Sequence, residues 1–76
     1  MPRLPELRRA EVLRLIRDHA QEWEHQGDLV TGVSKDGHSF TIHMEHGGGL
    51  RPDQLSRALR YMDVSRAEFE AWLREG

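Results

Sequence analysis

The sequence predicts an α+β fold: an N-terminal helix, an antiparallel β-hairpin, and two C-terminal helices packed on one face of the sheet. Three observations carry this. Apolar residues recur at helical spacing from Val12 to Trp23. Two alternating runs, "LVTGVS" and "SFTIHM", flank Asp36-Gly37. Helix-start signals then precede Leu55 and Phe69. A chain of 76 residues carries one such domain, residues 1–76, near the lower limit for an unaided core.

Pro5 suits the first position of the first helix, where its missing N–H is no loss. Val12, Ile16, His19, Ala20 and Trp23 define one buried face, widened by Leu13, while Arg14, Arg17 and Gln21 point the other way. The pattern runs to about Glu24, with Gly27 ending it. "EWEHQ" also alternates as a short strand would, but no turn residue separates it from the helix, so the local pattern favours helix.

Asp36-Gly37 reads as a two-residue hairpin turn. That turn pairs Val33 with Phe40, Thr31 with Ile42 and Leu29 with Met44, and puts all six on the apolar face. Val30, Gly32, Ser34, Ser39, Thr41 and His43 then share the polar face. After the glycines Pro52 opens a second helix, with Leu50 and Leu55 as a hydrophobic staple; Leu55, Ala58, Leu59 and Met62 are its buried face and Arg57 and Arg60 its outer one. "SRAE", with Ser65 and Glu68, is a capping box flanked by Val64 and Phe69, and the last helix buries Phe69, Trp72 and Leu73.

Composition narrows function. There is no cysteine, so neither disulfides nor thiolate metal sites support the fold. No apolar run reaches the roughly 20 residues that span a bilayer, and the charged N-terminal segment does not read as a secretory signal; the expectation is a cytoplasmic domain with no membrane role. Net charge is −2, but residues 1–17 carry an excess of arginine and residues 18–50 an excess of acid. Arg14, Arg17, Arg57 and Arg60, with Arg51, are the plausible phosphate footprint, and Tyr61 lies near Arg57 where it could stack on a base.

Other chemistry is thinly represented. The histidines lack metal-ligand spacing, so no metal is assigned. "GGGLRP" follows a strand and precedes a helix but lacks the Lys-Ser/Thr of a phosphate loop, and reads as a joint that turns the chain back over the sheet; no cofactor is implied. His43, on the polar sheet face, is the best isolated general acid/base.

From Phe40 onward the chain resembles the HicA family of bacterial toxin–antitoxin mRNA interferases. The likeness lies in the strand ending near His46, the glycines, Leu50, a basic residue and Pro52, then Leu55, Leu59 and "VSRAEF". It implies a fold like the double-stranded RNA-binding domain, with three antiparallel strands, so that "EWEHQ" becomes the first. It also implies RNA as partner and mRNA cleavage by a histidine in a "Gly-Ser-His" type motif at the start of the second strand. The matching stretch, "QGDLV", has no histidine, so no catalytic residue carries over and enzyme activity is left open; His25 lies just before it. The alternative is a small protein-interaction module, a homodimer or partner-binder, that associates through an open sheet edge.

Overall fold

A computed structural model describes residues 4–75. The order is α1 (Arg9–His19), β1 (Glu22–Gln26), β2 (Leu29–Val33), β3 (Ser39–His43), α2 (Pro52–Tyr61) and α3 (Arg66–Glu75). The strands form one antiparallel sheet in the order β1-β2-β3. Val30, Phe40, Ile42 and Met44 are buried with the helix residues, whereas Thr41 and His43 are exposed, so all the helices cover one face. No helix among the described residues is long and apolar enough to cross a membrane.

Each helix starts the same way. The residue three places after the N-cap reaches back to the N-cap N–H: Glu11 to Arg8 at 2.9 Å, Gln54 to Arg51 at 2.9 Å and Glu68 to Ser65 at 3.0 Å. At α3 the bond is reciprocal, Glu68 N–H donating to Ser65 Oγ at 3.1 Å, which is the capping box that "SRAE" predicts. The Lys35 ammonium, together with this cap, pulls the Glu68 carboxyl down to about 2. Leu50 and Leu55, and Val64 and Phe69, are buried as staples should be.

The N-terminal half departs from the local reading. Pro5 lies outside α1, which begins at Arg9 because Leu7 is held in an isolated bridge to Leu50. The helix ends at His19 rather than near Glu24. Ala20 is already extended, and the Gln21 N–H donates to the Val33 carbonyl at 2.9 Å, which draws the chain into the sheet. "EWEHQ" is therefore β1, and Trp23 is 40% exposed instead of lying on a helix face. Sheet hydrogen bonds override helix propensity here. Gly27, at φ +60°, is the first of the two residues that turn β1 into β2, not a helix terminator.

The second hairpin is shifted by one residue. Thr31 pairs with Thr41, Val30 with Ile42 and Gly32 with Phe40, and residues 34–38 form the connection. Of the proposed two-residue turn only Gly37 has positive φ, whereas that turn needs it at both positions. The face of β3 is as expected, but that of β2 is inverted: Val30 is fully buried, while Leu29 is 38% exposed and Thr31 and Val33 are only partly covered. Two features fix this register. Gly32 leaves room beneath the Phe40 ring; a Cβ there would come within 2.3 Å of the Glu22 carbonyl. Ser34, expected on the polar face, is fully buried, its hydroxyl donating to Asp63 at 2.6 Å and accepting the His38 N–H at 3.0 Å.

α3 packs on α1. Phe69 and Trp72 are buried and stacked at 6.0 Å, but Leu73, expected in the core, is 36% exposed. Trp72 is buried as expected, with Nε1–H donating to Asp18 at 2.8 Å.

Candidate nucleic-acid interface

The four arginines singled out by sequence end in different situations. Arg14 is not on a free outer face. Its guanidinium lies 4.8 Å from the Trp72 ring centroid, a cation–π contact that joins α1 to α3. Arg17 is exposed but paired with Asp18 at 3.2 Å. Arg57 and Arg60 are exposed on α2 and have no ion-pair partner among the described residues. Arg51 pairs with Glu45 at 3.3 Å.

α2 runs antiparallel to β3. Gln54, near its start, bonds Glu45 beyond the end of β3 at 3.2 Å, while Asp63, just past its end, bonds His38 before β3 at 2.7 Å. Between helix and strand lies a groove of about 560 Å³, bordered by Thr41 and His43 on one side and Arg57 and Tyr61 on the other. Tyr61 is 51% exposed, so its ring is available to stack. The acids at the far end of the groove are already engaged. Glu45 is held by Arg51 and Gln54, and Asp28 by Arg9 and His46, which keep the Asp28 carboxyl below its ordinary range. Arg57 is the charge this groove leaves unbalanced.

The two candidate histidines do not converge. His43 is exposed on the outer face of β3. His25 stands on β1, beside Val30 and so on the helix side, with Nε2–H donating to the Gly27 carbonyl at 2.6 Å. The whole of β2 separates them, a distance of roughly 10 Å across the sheet. One scissile phosphate cannot meet both. Among the described residues no three His, Asp or Glu side chains gather as a metal site. The triple glycine is a crossing point: Leu7 and Leu50 exchange N–H···O bonds of 2.9 Å, and Gly49 sits directly against the Leu7 carbonyl.

Sequence reading missed one polar cluster. Asp63 Oδ2 accepts both the buried Ser34 hydroxyl, at 2.6 Å, and His38 Nδ1–H, at 2.7 Å, tying the β2–β3 connection to the end of α2. The serine donates to the aspartate and not to the histidine, so this is a clamp rather than a nucleophile relay. The only local hint was Asp63 after Met62, where the chain adopts φ +59° to leave the helix. Asp63 raises His38 above the ordinary 6.5, and Ser34 and then His38 lower Asp63 below the ordinary 3.8. The histidine's contribution is therefore complete below about pH 6.5 and lost as pH rises through its raised folded value. The aspartate's is complete above about pH 3.8 and lost as pH falls through its depressed one. Melting temperatures of the wild type and His38→Ala should differ at pH 5.5 and draw together by pH 9. A gap that is constant over that range would mean the ion pair is not formed.

No protein-family model, curated protein or solved structure matches the chain.

Proposed function

We propose that this is a small HicA-like RNA-binding domain in which α2 supplies the contact surface and the family's cleavage chemistry is lost. The observation that carries the reading is the placing of Arg57, Arg60 and Tyr61: two arginines without carboxylate partners among the described residues and one exposed ring on the same short helix. Arginine at such a position grips phosphate oxygens, and an exposed tyrosine stacks on an unpaired base. The element order α-β-β-β-α-α agrees with what the HicA resemblance implies. Of the four arginines, Arg57 and Arg60 bear the proposal. Arg14 is committed to Trp72 and Arg17 is offset by Asp18.

Replacing Arg57 and Arg60 with glutamine should leave the circular dichroism spectrum unchanged, because both side chains are exposed. Affinity for single-stranded RNA should fall, and the slope of log K against log salt should flatten by roughly one unit per phosphate contact removed. An unaltered slope would take these residues out of the interface. Absence of wild-type binding at low salt would end the RNA reading altogether. Cleavage should be slow or undetectable; if any appears, His43→Ala and His25→Ala tell which histidine is involved.

A second reading has its own support. β3 is an edge strand with its outer side exposed, which suits a protein-interaction module, a homodimer or partner-binder, that pairs strands. Association of that kind depends little on salt, which separates it from phosphate binding.

A further inference from the structure

The open edge of the interaction module lies on a particular strand and admits a particular register, whether or not RNA is bound. Ser34 donates its N–H to the His38 carbonyl at 2.7 Å, and Met44 donates to the Asp28 carbonyl at 2.8 Å. In an antiparallel ladder these groups alternate in direction, so Phe40 and Ile42 also bond β2. The N–H and C=O groups of Ser39, Thr41 and His43 consequently point out of the sheet, with no strand beyond them among the described residues.

The two edges are not equivalent. β1 carries Glu22 and Glu24, both exposed, and self-pairing centred on Glu24 would set two carboxylates directly opposite one another. Charged side chains of this sort are how edge strands are kept apart. β3, "SFTIH", carries no carboxylate, lysine or arginine and has no such guard. We propose that β3 pairs antiparallel with β3 of a second copy about a two-fold axis at Thr41, making one continuous sheet.

The occupant follows from self-complementarity. Centred on Thr41, the pairing sets Thr41 against Thr41 and Ser39 against His43, each pair exchanging both backbone hydrogen bonds. Hydroxyl faces hydroxyl, and hydroxyl faces imidazole; nothing of like charge is opposed. The antiparallel course of α2 puts Tyr61, half exposed, towards the Thr41 end of the groove, and Arg57 nearer His43. The same axis therefore brings the two Tyr61 rings to one side of the joined sheet. Two α2 helices then stand next to each other on that face.

Sedimentation or light scattering over a concentration series tests this directly. The wild type should rise from 8.8 kDa to twice that mass with concentration. Thr41→Lys and Thr41→Glu each place like charges on the axis and should each stay monomeric, with unchanged circular dichroism, because Thr41 is exposed in the single chain. Mixing the two variants should restore the doubled mass, and Glu24→Lys on the other edge should leave wild-type association unaffected. A dimer that ignores both Thr41 substitutions, or a mixture that stays monomeric, would overturn this edge and register while leaving association itself standing. A wild type that remains monomeric to millimolar concentration would overturn both this pairing and self-association as a reading of the fold.

Discussion

Gly49→Ala should destabilise the protein by about 3 kcal/mol or more, among the larger effects of any single substitution in this chain. The reason is backbone proximity. A Cβ at Gly49 would stand 1.9 Å from the Leu7 carbonyl oxygen and 2.6 Å from the Arg8 carbonyl carbon. Neither is the end of a flexible side chain, so the crossing would have to open. Opening it breaks the paired Leu7–Leu50 bonds, and both of those leucines are core residues, each 2% exposed. Gly47 is the control. It has φ +74° with open space around it, so alanine there meets only the intrinsic penalty of a left-handed conformation, about 1–2 kcal/mol. Urea unfolding of the two variants measures the difference. Equal losses at Gly49 and Gly47 would show that the crossing has slack.

Ile42→Ala should cost about 2–5 kcal/mol, whereas Thr41→Ala next to it should change stability by no more than about 0.5 kcal/mol. Ile42 is 3% exposed on the face covered by the helices, and truncating it leaves a cavity that rigid neighbours on both sides cannot fill. Thr41 points to the open face. This contrast reads the face of β3 but not the hairpin register, since the Asp36-Gly37 turn would leave the same residues inside. β2 distinguishes the two. Val30→Ala should lower the melting temperature clearly more than Val33→Ala; the reverse order would restore the two-residue turn.

What could be read from sequence follows the range of the interaction that decides each feature. The starts of α2 and α3 were legible because staples and caps are settled within five residues: Leu50 with Leu55, Ser65 with Glu68, Val64 with Phe69. The inward face of β3 was legible for the same reason. The register of β2 was not. Asp36-Gly37 is a genuine local preference, but the outcome is decided by Ser34 bonding Asp63, 29 residues away. The alternation of "EWEHQ" was visible but too short to outweigh the helical pattern before it; every residue of β1 is exposed, and pairing with β2 makes it a strand. Within the candidate interface, Arg57 and Arg60 were legible from the wheel of α2. Arg14 was misread because its partner, Trp72, belongs to a helix that the pattern around Arg14 does not contain.

The bridge between Leu7 and Leu50 also bears on the order of events in folding. It closes a loop of more than forty residues that contains the whole sheet, and closing so long a loop before its interior is structured loses entropy without compensating contacts. The two hairpins, by contrast, need only short closures. The amino-terminal segment should therefore dock after the rate-limiting barrier, onto a sheet and α2 already assembled. Weakening it, by Leu7→Ala, should leave the refolding rate almost unchanged and put nearly the whole loss of stability into faster unfolding. Seen on a chevron plot, the molecule would fold at the speed of its hairpins and stay folded by the strength of its latch. A refolding arm slowed as much as the unfolding arm is quickened would instead place Leu7 in the nucleus.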